Sequence, residues 1–216
     1  MQELADGWNV PVYVHPLESP YVNGQSDYPP QDPTVGGVFA QMSRVFPHHG
    51  YNFGPRVRAL LDYGEVSGAP EWRWLHVPGH TAGQVALFRE SDRVLIAADA
   101  LTTVNQNEVL PLLVQRPQFF CPPPYMTTDW NAARRSVELL AALEPNIVAS
   151  GHGRPISRHE TALELQAFSG RFTPPEHGRY VTQPAQTDET GVVSVPPPAP
   201  DPLPGRLAIA ANLARH

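Results

Sequence analysis

Three residues carry the chemistry that this sequence can offer: His80, Asp99 and His152. Each stands after a short apolar run: His80 after Leu75-His76-Val77-Pro78-Gly79, Asp99 after Val94-Leu95-Ile96-Ala97-Ala98, and His152 after Ile147-Val148-Ala149-Ser150-Gly151. Imidazole and carboxylate groups delivered on short turns from rigid strands are what a divalent metal ion requires, because its ligands must converge to within about 2 Å of one point. A glycine beside His80 and beside His152 lets the backbone approach such a site closely. Taken singly, each residue also has an ordinary reading: His80 as a turn histidine, Asp99 as a cap for the next segment, His152 as a solvated loop residue. Their combination is what points to a metal centre.

The elements that must position them follow from periodicity and turn chemistry. Arg73 to Val77 reads as a strand, and Gln84 to Arg89 with Val94 to Asp99 reads as a hairpin closed by Glu90-Ser91-Asp92-Arg93. Pairing Arg89 with Val94 places Gln84 opposite Asp99, so His80 and Asp99 share the open end of that hairpin. Asp129 to Leu143 has Ala133, Val137, Leu140 and Ala141 at helical spacing, with Thr128 or Asp129 as N-cap and Pro145 as stop signal. Asn146 to Ala149 is a short buried strand leading into Ser150-Gly151-His152-Gly153, and the spacing of Ser157 and Glu160 predicts a capped second helix running to about Phe168. Upstream, Gln2 to Trp8 predicts the tail of a helix and Val10 to Val14 a strand, with an irregular, Pro- and Gly-rich segment from Pro16 to Pro55 bordering a cleft. Helix, strand, glycine turn and helix make an α/β pattern.

Composition bounds the partners. Lys+Arg 15 against Asp+Glu 21 leaves a net charge of −6, without the basic footprint that nucleic acid or anionic membrane selects. Cys121 has no internal disulfide partner, lies among Phe and Pro, and reads as a buried small hydrophobe. No charged-then-apolar leader and no apolar run of about 18 residues appears, so a soluble, cytoplasmic protein acting on a small molecule is expected. Proline is abnormal, with 26 in 216 residues; this is roughly 12%, more than twice the usual share. Nine of them fall between Pro174 and Pro204, which predicts an extended, polyproline-like appendage, with a short helix from Leu207 to Arg215 near its end. The dinucleotide and phosphate-loop glycine motifs and the Gly-x-Ser-x-Gly elbow are absent.

Leu75-His76-Val77-Pro78-Gly79-His80-Thr81-Ala82-Gly83, then Arg93-Val94-Leu95-Ile96-Ala97-Ala98-Asp99-Ala100, then Ala149-Ser150-Gly151-His152-Gly153 resembles the second half of the metallo-β-lactamase-fold hydrolases, over roughly Met1 to Phe168. The resemblance implies that His80 serves a first metal, His152 a second, and that Asp99 bridges them and orients the attacking group. It implies zinc, up to two ions, with manganese and iron left open, and a metal-bound hydroxide attacking an ester, thioester, amide or phosphoester. The family's His-x-His-x-Asp-His motif does not occur in this sequence. The expectation is therefore part of an αββα sandwich lacking its amino-terminal strands: residues 1–172 as an amino-terminally truncated domain and 173–216 as a Pro-rich, partly disordered extension.

Such a chain is expected to hydrolyse little by itself and to self-associate through its exposed sheet. A non-enzymatic remnant, acting as a binding or assembly module, is the alternative. His15, His48, His49 and His76 read as structural or solvated rather than as substitute ligands, and Arg44, Arg56 and Arg116 as groups that could contact an anionic substrate.

Overall fold

The structure, a computed structural model, describes residues 2–60, 64–105 and 117–200. Arg116 and the predicted Leu207–Arg215 helix lie outside the described residues. Helix α1 (Gln2–Trp8) leads into strand β1 (Val12–Val14), which pairs in parallel with β2 (Val57–Ala59). Between them, the irregular segment carries short helices: α2 (Ser19–Val22) and α3 (Val38–Met42) are each preceded by a single 3-10 turn, one starting at Pro16 and the other at Pro33. Proline suits these starts because its fixed φ is already helical and its missing N–H is not needed there. Asp32 and His15 cap the two turns through their side chains, accepting from Thr34 N and Leu17 N.

Downstream, β3 (Trp72–His76), β4 (Val85–Arg89), β5 (Val94–Ile96), β6 (Ile147–Ala149) and β7 (Ile156–Ser157) form one five-stranded sheet in sequence order. The β4–β5 hairpin has the expected Arg89–Val94 register, but β5 stops at Ile96, short of the Asp99 end. β5 and β6 run parallel, and the crossover between them carries α4 (Trp130–Ala142), capped by Asp129, whose carboxylate accepts from Ala132 N at 2.8 Å. Alternation along β4 decides which face is covered. Ala86 and Phe88 are fully buried beneath the helices, whereas Val85 and Leu87 on the other face are only half-buried. Val137 and Leu140 of α4 and Leu165 of α5 (Thr161–Gly170) close the core with Leu95, Val148 and Ile156.

Two expectations are corrected. The Ser157–Glu160 capping box does not form: Ser157 belongs to β7, and α5 begins only at Thr161, whose hydroxyl accepts from Arg158 N and donates to Arg158 O, both at 2.8 Å. Sheet pairing of Ile156 with Val148 outcompetes the local cap, since it buries Ile156 completely. The chain after Pro174 is also more regular than its proline count predicts. It forms α6 (Arg179–Thr182) and the hairpin β8 (Gln186–Asp188) with β9 (Gly191–Ser194), turned by Asp188 accepting from Thr190 N at 2.7 Å. Tyr180 anchors this segment: its ring is buried in the core cluster and its hydroxyl donates to Pro30 O at 2.7 Å. Burying one such aromatic is worth about 2 kcal/mol, enough to hold a short turn that could not persist alone. No helix among the described residues is long and apolar enough to cross a membrane.

Candidate metal centre

All three predicted residues meet at one end of the sheet. His80 Nε2 lies 3.8 Å from Asp99 Oδ2, and His152 Nε2 lies 3.6 Å from Asp99 Oδ1. These separations are too long for hydrogen bonds. They are of the size expected when an imidazole nitrogen and a carboxylate oxygen each lie about 2 Å from a shared ion. Each oxygen of Asp99 thus faces a different imidazole. Asp99 Oδ1 is buried and has no hydrogen-bond partner among the described residues. A buried carboxylate oxygen left bare is costly, and a cation is the partner that its two imidazole neighbours suit.

Local backbone geometry aims the carboxylate. Ala97 N still bonds Ala149 O in the manner of the sheet, but Ala98 adopts a left-handed conformation, φ 47°, which ends the strand and turns Asp99 toward the cleft. A non-glycine residue in that region is strained by about 1–3 kcal/mol and persists where its surroundings hold it. Here Gly151 N donates to Ala98 O at 2.9 Å, so the two strand-end turns brace each other. The missing side chain of Gly151 leaves Asp99 Oδ1 its place, since a side-chain carbon there would push the carboxylate aside.

His80 is held more completely. Its turn passes through Gly79 at φ 139°, packed so tightly on the first turn of α4 that a Cβ would strike the backbone of Ala133. Gly79 O accepts from Thr128 N and Asp129 N, both at 2.9 Å, and Ser136 Oγ donates to Pro78 O at 2.7 Å. The imidazole is buried, with Nδ1 3.5 Å from Thr127 Oγ1. The Thr127 hydroxyl proton is committed to Pro123 O at 2.8 Å, so Thr127 can only accept from His80. The proton is thereby assigned to Nδ1, leaving the Nε2 lone pair toward Asp99, the tautomer that a metal ligand needs. Burial holds the His80 pKa below its usual range, with the Asp99 charge acting against this and His152 with it, which keeps the ring neutral.

His152 differs: its side chain is 46% exposed, and its loop is held through the backbone, His152 O accepting from Ser150 Oγ at 2.7 Å and Thr103 N at 3.1 Å. Among the described residues, no group of three or more His, Cys, Asp and Glu side chains forms a complete ion-holding set. The three residues therefore form two half-sites, one imidazole and one carboxylate oxygen each, where a zinc ion takes four ligands.

A cleft of about 430 Å³ opens from His80 and Asp99. Its opposite wall comes from the Pro-rich segment, with Glu18, Tyr28, His48 and His49. His15 stacks on His76 with ring centres 4.0 Å apart, its pKa lowered to about 4 by burial and by its neighbour, and His76 Nε2 donates to Ala82 O at 2.7 Å. Of the predicted anion contacts, Arg44 lies in a separate pocket with Asp32, and Arg56 is paired with Asp6 at 3.0 Å. Cys121 is half-buried, and burial raises its thiol to about 11, consistent with an inert packing role.

Two lining residues, Glu18 and Gln84, escape a reading of motifs. Glu18 accepts from Tyr28 Oη at 2.7 Å and Thr81 Oγ1 at 2.8 Å, tying the far wall to the His80 turn, while burial pushes its carboxyl above the usual range. Gln84 is buried, and neither its amide nitrogen nor its oxygen has a hydrogen-bond partner among the described residues. One signal was available for Gln84. The alternation Gln84, Ala86, Phe88 puts a polar residue where the strand buries apolar ones. Leaving such groups unpaired costs roughly 1–3 kcal/mol each.

Comparison with known proteins matches the sequence to a family. The sequence profile of the Metallo-beta-lactamase superfamily covers residues 1–152. "Probable metallo-hydrolase YflN" of Bacillus subtilis (strain 168) is 39% identical over 174 residues, spanning 80% of this chain and 66% of the relative. A second B. subtilis protein, "Probable metallo-hydrolase YqjP", is 28% identical over 99 residues, 46% of this chain and 29% of its own length. This chain thus spans less than two thirds of either curated relative. Among solved structures, the BLEG-1 B3 metallo-beta-lactamase superposes with a TM-score of 0.49 at 19% identity, covering 72% of this chain and 63% of that one. TTHA1623 in a di-iron-bound form gives 0.46 at 23%, covering 77% and 66%. With residues 1–152 matched by its profile, this chain belongs to the metallo-beta-lactamase superfamily.

Proposed function

We propose that the chain serves metal-dependent hydrolysis, with His80 and His152 as ligands of two separate ions and Asp99 as the carboxylate between them. The observation that carries this reading is the Asp99 carboxylate, with one imidazole Nε2 facing each oxygen and Oδ1 lacking any other partner. Neutral imidazole with carboxylate suits zinc, the metal proposed here. When bound, a divalent ion would act as a Lewis acid and bring the pKa of a coordinated water toward ~7, supplying a nucleophile at neutral pH. The protein's own part is positional. The Ala98 kink and Gly151 hold Asp99 in register with both imidazoles, Thr127 keeps the His80 lone pair facing inward, and the cleft walls bring an ester, thioester, amide or phosphoester beside them.

The test is elemental analysis of the purified protein after exposure to zinc, manganese or iron(II), with hydrolysis of the four substrate types followed before and after chelation. Bound zinc that falls in both His80→Ala and His152→Ala supports the reading. Metal content that neither variant changes, or hydrolysis that survives complete chelation, overturns it.

A further inference from the structure

A metal ion would satisfy the bare oxygen of Asp99, but it cannot satisfy Gln84. Gln84 lines the same cleft, is more than nine-tenths buried, and its carboxamide holds both an N–H donor and a carbonyl acceptor without a partner among the described residues. Its backbone is fixed, since Gln84 O accepts from Val77 N at 2.9 Å, and β4, which follows it directly, is paired on both sides. The amide is thus a pre-positioned pair of hydrogen-bonding groups beside the His80 turn. Natural interiors rarely leave such groups unpaired, and the exceptions concentrate where a ligand or water supplies the missing partner.

The charge of the cleft narrows the partner further. Glu18 and Asp99 both line it, whereas no Arg or Lys stands among the described residues that do. Tyr13, Tyr28 and Met126 supply an apolar and aromatic body to the same cleft. We propose that Gln84 is a specificity-determining residue that recognises a neutral amide-like group, one giving and accepting a hydrogen bond at once, on an otherwise apolar substrate. This deepens the proposed hydrolase function and rests on the cleft being its substrate site. Reciprocal pairing of two carboxamides satisfies both atoms of Gln84, whereas a carboxylate would satisfy only the donor.

Three aromatic probes of nearly equal shape separate these properties: benzamide, with donor and acceptor; acetophenone, with acceptor only; and benzoate, an anion. Binding is read by titrating each into the ¹⁵N-labelled protein and following side-chain amide resonances, so no turnover and no bound metal are needed. The expected result is saturable binding of benzamide at least about fivefold tighter than acetophenone, with benzoate weakest, and a shift of the Gln84 amide pair on benzamide addition. In Gln84→Leu, benzamide and acetophenone should bind equally. Gln84→Glu, which keeps the shape, should weaken benzamide and abolish benzoate. Discrimination that survives in Gln84→Leu, or no saturable binding of benzamide to the parent protein, overturns the proposal. Either failure leaves the metal-content test of the hydrolase reading untouched, and loss of metal in the histidine variants leaves probe selectivity to stand or fall by itself.

Discussion

The two histidines of the centre approach Asp99 at almost the same distance, 3.8 and 3.6 Å, yet they are held in opposite ways. His80 is buried, its turn clamped to α4 through Gly79, Pro78 and Ser136, and its tautomer set by Thr127. His152 stands half in solvent on a loop fixed through its backbone. The contrast teaches that proximity and preorganisation are separate properties. A buried, oriented imidazole loses little freedom when it takes a ligand, whereas an exposed one has to be ordered at that moment.

The sharpest way to break this comparison is at the two glycines. Gly79→Ala has to displace helix backbone and place alanine at φ 139°, so we expect a loss of about 3 kcal/mol or more, visible as a lower urea midpoint. Gly151→Ala meets only the tip of the Asp99 side chain, which can swing away; its midpoint should change little while metal binding falls. Equal destabilisation by both would show that the two turns are equally rigid.

Between the histidines themselves, His80→Ala should cost more zinc affinity than His152→Ala, by about tenfold, in competition titrations with a chromophoric chelator. Equal losses would mean that burial contributes nothing to preorganisation. Thr127→Val, which removes the hydroxyl that accepts from His80 Nδ1 and donates to Pro123 O, should cost about 10-fold or somewhat more in zinc affinity at the same site, with about 1–3 kcal/mol of stability lost to the unpaired carbonyl. Zinc affinity unchanged in the folded variant would assign Thr127 to packing alone.

The smallest effect expected is a pH slope. Folding lowers the pKa of His15 from 6.5 to about 4, so the folded protein binds fewer protons there than the unfolded chain does. Stability from this source is therefore complete above about pH 6.5 and is lost as pH falls toward 4. His15→Asn retains a side-chain acceptor for Leu17 N but cannot titrate, and it should flatten the decline of the urea midpoint between pH 7 and pH 5. An unchanged slope would place the acid sensitivity elsewhere.

Much of this was legible because it is local. The hairpin register at Arg89 and Val94, the Asp129-capped helix and the short strand before His152 depend on alternation, capping and turn residues within a few positions of one another. The capping box at Ser157 misled for the complementary reason: a local signal was overruled by pairing with β6, a partner that lies near in sequence but competes only once the sheet exists. The Pro-rich segments misled likewise. Their prolines start turns, and what holds them is Tyr180 buried in the core and Asp32 bonded to Arg179, contacts between opposite ends of the chain.

For the site, residue type and spacing were enough to nominate His80, Asp99 and His152, because metal chemistry admits few side chains and strand ends admit few positions. Which oxygen of Asp99 faces which imidazole, which nitrogen of His80 carries the proton, and that Gln84 stands unpaired beside them were settled only by packing. Those properties depend on angles and burial created where α4, the Pro-rich wall and three strand ends converge, and no short stretch of sequence contains more than one of these parts.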